Sequence, residues 1–161
     1  DHIVVGIRDL AGAGKERVWC DIASAADDTA DAFEDALFHL RFLPDDISQE
    51  LRSALNRLAE DAIGGVKEYV RLLLAARHIH RGAPLGDLQA FFDLLERQHD
   101  REHATDGAER DVFAILMADS PQAKTLIVTT AIAGALEKSG DALLRTSRLV
   151  ADHALGGWVA G

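Results

Sequence analysis

All three prolines of the chain, Pro44, Pro84 and Pro121, stand between stretches whose apolar residues recur every three or four positions. Proline removes a backbone donor and pushes the preceding residue out of the helical region, so each one marks a joint. Four helical segments follow. The first runs from about Lys15 to Phe42, with Ala26, Ala30, Phe33, Leu37 and Leu40 on one face. Asp45 and Asp46 are placed to cap the second, from about Ile47 to His80, whose stripe is Leu51, Leu55, Leu58, Ala62, Val66, Val70 and Leu73. Gly64 and Gly65 interrupt that stripe and point to close packing or a kink.

Gly82, Ala83 and Pro84 form the clearest break. A third segment spans about Gly86 to Ala118, apolar at Leu88, Phe91, Phe92 and Leu95 and again at Val112, Phe113 and Leu116. Between Gln98 and Arg110 it is nearly all polar, which fits either two helices meeting or one helix with a polar waist. Ser120 and Pro121 read as the cap and first-turn proline of a fourth helix, expected to run to about Leu155 and stop at Gly156 and Gly157. In Asp1–Gly14, Ile3, Val4 and Val5 suit a short strand, while three glycines disfavour any regular element. The expectation is a single all-α domain over 1–161, a helical bundle rich in alanine, leucine and charged helix formers.

Twenty-seven acids against 17 bases give a net charge of −10. A nucleic-acid backbone or an anionic lipid surface would be repelled, since no lysine-arginine cluster offsets that field, and cations are the better-matched small partners. The longest run free of charge and proline, Thr125 to Leu136, is too short to span a bilayer. No signal-peptide pattern is visible, and Cys20 stands alone, so the cytoplasm is the expected compartment. The chain opens on Asp1 and not on methionine, as expected of a trimmed chain or one with residues upstream.

One segment resembles another within the chain. Asp27, Asp31, Glu34 and Phe38 align with Glu102, Asp106, Glu109 and Phe113 at an offset of 75 residues. Pro44 and Pro121 then align at 77, and Asp61 and Asp141 at 80. Small loop differences explain the drift, so two helix-pair repeats are expected, about 15–81 and 85–156.

The recurring element is an acid, three residues, then aspartate. On a helix this puts two carboxylates on one face a turn apart, where like charges repel unless a cation sits between them. Two such pairs on facing helices supply oxygen ligands for a metal. Five pairs occur: Asp27/Asp31, Asp31/Asp35, Glu96/Asp100, Glu102/Asp106 and Glu137/Asp141. Acid content alone yields about three. Arg110 and Arg145, four residues after Asp106 and Asp141, would turn both into ordinary surface ion pairs. Glu96, His99, Asp100 and His103 share another helix face, and two imidazoles four residues apart beside carboxylates suit zinc or iron. The Glu-x-x-His of di-iron bundles occurs once, as Glu96 to His99, where such a centre needs two. Phosphate-binding loops and nucleophile elbows are absent: Gly12-Ala-Gly14-Lys15 is followed by Glu16.

Leu136-Glu137-Lys138-Ser139-Gly140-Asp141 resembles the Leu-Glu-Arg-x-Gly-Asp segment in the last helix of each PhoU repeat. Pro121-Gln-Ala123-Lys-Thr-Leu126 looks like the segment opening that helix, and Leu40-Arg-Phe42-Leu43-Pro44 is similar to the Phe-Leu-Pro joint of the PhoU-like phosphate transport regulators. Similarity covers roughly Asp27 to Leu155. The resemblance implies two pseudo-symmetric halves and metal clusters on paired acid-x-x-x-Asp motifs. One site would use Glu102, Asp106, Glu137 and Asp141; its first-half equivalent would use Asp27, Asp31 and Asp61, with Arg57 where an acid belongs and Glu60 turned aside.

What it implies is a non-enzymatic regulator or accessory of inorganic phosphate transport that contacts a transporter or its regulatory partner, holds iron or zinc, and is compatible with a homo-oligomer. Two other readings fit the residues: a structural helical module with solvated acids, and a carboxylate/histidine metalloenzyme using His99 and His103.

Overall fold

The computed structural model describes residues 16–119 and 121–160, with the side chains of Glu16, Arg17 and Gly157 to Ala160 left aside. The strand suggested for Ile3 to Val5 and the cap suggested for Ser120 lie outside these residues. Within them the chain is helical, without a strand: α1 (Glu16–Leu40), α2 (Gln49–Ala76), α3 (Leu85–Asp119) and α4 (Ala123–Ala160). No helix among them is long and apolar enough to cross a membrane.

Boundaries follow the joints, with four corrections, two of them that α2 stops at Ala76 and not near His80 and that α4 opens at Ala123, leaving Pro121 ahead of its first turn. Ser48, not Asp45 or Asp46, caps α2: its Oγ accepts from Leu51 N–H at 3.2 Å and donates to the Asp119 carboxylate at 3.1 Å. The two aspartates sit too far ahead of the first helical turn to reach its free N–H groups. At the other end α4 runs through Gly156 and Gly157 to Ala160. Glycine disfavours a helix by only about 1 kcal/mol against alanine, too little to end one that is already propagating. Gly82, by contrast, adopts φ 86° in the turn between α2 and α3, a conformation a side chain would strain.

The polar stretch 98–110 does not divide α3, which is one helix of 35 residues. It forms the waist of the molecule. On one side, Leu51, Leu55 and Leu58 of α2 pack with Val112 and Leu116 of α3 and Ile132 and Leu136 of α4. On the other, Tyr69, Leu72, Phe91, Leu94, Leu143 and Val150 form a second cluster. Between them lie Gly64 and Gly65 of α2, Gln98 and Thr105 of α3, and Ser139 and Gly140 of α4, all buried. A Cβ on Gly65 would stand 3.2 Å from Leu143, so the two glycines mark close approach of α2 to its neighbours and not a kink. Thr105 and Ser139 bond back to carbonyls of their own helices, Arg101 at 2.8 Å and Leu136 at 2.6 Å, and so need no partner across the waist.

α2, α3 and α4 pack mutually, whereas α1 leans on α4 alone, running antiparallel to it from Trp19 beside His153 to Ala36 near Ile132. Its buried row is Ile22, Ala25, Thr29, Ala32 and Ala36. This corrects the stripe read from the sequence. Leu37 and Leu40 of that stripe are 63% and 50% exposed, because they face the space between α1 and α2, whose backbones do not meet.

Candidate functional site

The waist brings α3 and α4 close enough for their acids to face one another. A Cβ on Gly140 of α4 would lie 3.4 Å from Thr105 of α3, and one on Gly134 would lie 4.0 Å from Glu109 Oε1. Around this line of contact stand Glu102, Asp106 and Glu109 of α3, at positions i, i+4 and i+7 of one face, and Glu137 and Asp141 of α4.

The five share one electrostatic field. Glu137 is pushed up to about 7, first by partial burial and then by Asp141, Glu109, Asp106 and Glu102. Glu109 is raised too, by burial and by Asp106, with Arg110 working in the opposite direction and Asp141 adding to the rise. Glu109 was not among the acids singled out as ligands, although the repeat alignment matched it to Glu34; its seven-residue offset from Glu102 was the usable signal.

Two arginines were available by spacing to neutralise this patch, and only one does so. Arg110 binds Asp106 at 3.2 Å. Arg145 instead reaches across to Asp28 of α1, and no other base pairs with the exposed Asp141 among the described residues.

Glu102, Asp106, Glu137 and Asp141 lie in a patch without converging on a point. The one group of three histidine, cysteine, aspartate or glutamate side chains whose ligand atoms all lie within 4.8 Å of one another, among the described residues, is His99, Glu102 and His103. The two Nε2 atoms are 3.0 Å apart, and Glu102 Oε2 is 3.4 Å from His103 Nδ1 and 4.0 Å from His99 Nδ1. That oxygen is buried and has no hydrogen-bond partner.

Two imidazole nitrogens this close need a proton or a metal between them. Ligands about 2.1 Å from one ion and 90–110° apart are separated by roughly 3.0–3.4 Å, which the Nε2 pair meets, while Glu102 Oε2 faces the Nδ1 atoms and would have to turn to join an ion between the two Nε2 atoms. Two nitrogens and a carboxylate are donors for zinc or iron. Read along the chain, His99-Asp-Arg-Glu102-His103 is also a His-x-x-Glu-His run, a signal missed by weighing His99 with Glu96 and Asp100 instead of Glu102. Glu96 and Asp100 are exposed and outside the group.

The first-half residues are not brought together. Asp27 and Asp31 are exposed on α1, whose backbone makes no contact with α2. Asp61 on α2 turns to α3, where Arg101 holds it at 3.3 Å. Arg57, standing where the motif wants an acid, pairs with Asp111 of α3, and Glu60 is exposed. Both basic contacts draw the α2 groups toward α3 and away from α1. No family model matches the chain, and no curated protein or solved structure does.

Proposed function

We propose that this chain is a metal-binding helical regulator, an accessory of inorganic phosphate transport that works by contact with a transporter or its regulatory partner and not by catalysis. The metal reading is carried by one observation: the buried, unpartnered Glu102 Oε2 beside two imidazoles whose Nε2 atoms are 3.0 Å apart. Zinc or iron held by His99, Glu102 and His103 would relieve that orphaned oxygen, and Asp106, Glu137 and Asp141 supply the surrounding negative field. Its effect would be to fix the packing of α3 on α4, in a compartment we take to be the cytoplasm.

The transport role comes from the PhoU-like motifs. The helix-pair repeats of that reading, about 15–81 and 85–156, draw support from the packing between them: α1 of the first lies on α4 of the second, as α3 of the second lies on α2 of the first. Asp27, Asp31 and Asp61 enter the proposal as the remnant of a site.

Metal content of protein purified without chelator, followed by Zn²⁺ titration, tests the metal claim. Glu137→Ala with Asp141→Ala is expected to weaken binding by about tenfold, the low end of the range for groups around a site, and Glu102→Gln and His103→Ala, which remove ligands, each by at least about 100-fold. Undiminished binding in both Glu102→Gln and His103→Ala sinks it. For the transport role, phosphate uptake is measured in cells lacking the chain. Uptake unaltered by its loss would remove that role and leave the metal site standing.

The His-x-x-Glu-His spacing favours a second reading, a hydrolytic metal centre in which Glu102 acts on a metal-bound water. Zinc-dependent cleavage of an activated ester, lost in Glu102→Gln while zinc is retained, would select it.

A further inference from the structure

Six residues recur along α3 at intervals of seven, seven, four, seven and seven: Leu85, Phe92, His99, His103, Arg110 and Met117. On a helix they fall within about 40° of one another, on the side away from the buried row Leu94, Gln98, Thr105 and Val112. All six are exposed, Leu85, Met117 and Phe92 by 82%, 65% and 46%. On the metal reading above, we infer that this stripe pairs antiparallel with the same stripe of a second copy, and that the two copies share one zinc ion through His99 and His103 of each.

One chain does not complete the coordination. The Nδ1 atoms face the buried Glu102 Oε2, which leaves the Nε2 pair, 3.0 Å apart, on the outer side of half-exposed rings. Among the described residues no further histidine, cysteine, aspartate or glutamate joins the group. Zinc takes four ligands. In a single chain Glu102 turns in as the third and the fourth position stays open to solvent. A second His99 and His103 pair fills both remaining positions and leaves Glu102 where it stands, 3.4 Å from His103 Nδ1, accepting the ring N–H as carboxylates behind metal-bound imidazoles do.

The order of the stripe selects a second copy. It is symmetric about position 101: Leu85 and Met117 each lie 16 residues away, Phe92 and Arg110 nine, His99 and His103 two. Turning a second α3 end for end about that point sets Leu85 on Met117, Phe92 against the Arg110 guanidinium, and histidine pair on histidine pair. Each contact then occurs twice, as a two-fold axis requires. Arg110 keeps Asp106 at 3.2 Å while its exposed plane covers the ring. Of the acids nearest the stripe, Glu96 comes opposite Gly107 and Asp106 opposite Leu95, so neither meets an acid, and Asp100 lies farther round the helix. The contact is one helix face wide and each chain carries a net charge of −10, so pairing depends on the ion.

Light scattering of the full chain, stripped with chelator and titrated with Zn²⁺, tests this. The expected result is a monomer that becomes a dimer at one zinc per two chains and reverts on chelation, with His99→Ala and His103→Ala remaining monomeric. The register is tested by charge. Phe92→Arg faces Arg110 of the other copy and should weaken the dimer at least about tenfold, whereas Phe92→Glu should be tolerated. Adding Arg110→Glu to Phe92→Arg should restore pairing. Net charge alone gives the opposite order, since arginine relieves the repulsion between two acidic chains and glutamate adds to it. Zinc bound one per chain to a monomer overturns the inference and leaves the metal reading standing; a chain that binds no zinc overturns both. A zinc dimer that tolerates Phe92→Arg better than Phe92→Glu, or that survives loss of His103, also overturns the inference.

Discussion

α1 and α3 each carry an acid-x-x-x-Asp pair, Asp27/Asp31 and Glu102/Asp106, and the fold treats the two oppositely. In the second half α3 and α4 pack along the waist, and the acids of one helix lie in the field of the other. In the first half the backbones of α1 and α2 do not meet, and Asp27, Asp31 and Asp61 face solvent or an arginine of a third helix. Spacing along a helix places carboxylates on one face. Whether that face meets another is decided by packing elsewhere, and a site needs both.

The largest effects should separate the half-exposed α1 stripe from the closed core. Phe91→Ala removes a wholly buried ring of the second cluster and is expected to destabilise by about 3–5 kcal/mol in chemical denaturation, while Leu37→Ala costs about 0.5 kcal/mol or less. Equal losses would mean that α1's stripe is covered in solution. Next comes the contrast between the acid sets. Asp27→Asn with Asp31→Asn should leave Zn²⁺ affinity within about twofold of wild type, against the loss of at least about 100-fold expected for Glu102→Gln. Comparable losses would return the first half to the site.

A smaller effect concerns the N-terminus of α2. Ser48→Ala removes both the cap and the bond to Asp119, and a loss of about 1 kcal/mol is expected in the same denaturation assay. The smallest tests the shared field by pH, with chelator present. Because Glu137 is raised to about 7, the folded chain keeps a proton there that the unfolded chain releases near 4.5. That residue's contribution therefore turns unfavourable as pH rises from about 4.5 to about 7 and stays so above. Glu137→Gln should raise the melting temperature at pH 8 and leave it nearly unchanged at pH 4. A gain equal at both pH values would point to packing and not charge.

Most of the fold was legible because proline and glycine joints and helical periodicity are local. The core of α2 was legible through Ala62, after which the buried row moves to Gly65, Tyr69 and Leu72 as neighbouring helices come closer. The stripe on α1 was a true periodicity with an unexpected use: alanines at 25, 32 and 36 bury a tight contact with α4, so the bulkier row is left over. Of the site, the set Glu102, Asp106, Glu137 and Asp141 was what the PhoU-like resemblance implied, and the field on Glu137 includes the other three. The departure of Arg145 to Asp28, and of Asp61 to Arg101, depends on contacts 117 and 40 residues apart, beyond the reach of spacing rules.

Resting on a single neighbour gives α1 its own route for amide exchange. Undocking breaks the contact with α4 alone and leaves the mutual packing of α2, α3 and α4 shut, so such an opening lies well below global unfolding in free energy. Its amides lose protection first, together and at one rate, while those around Leu58, Leu72 and Phe91 wait for the whole chain to open. A ligand lying across both α1 and α2 would close that gap, making α1 as slow to exchange as the body it leans on.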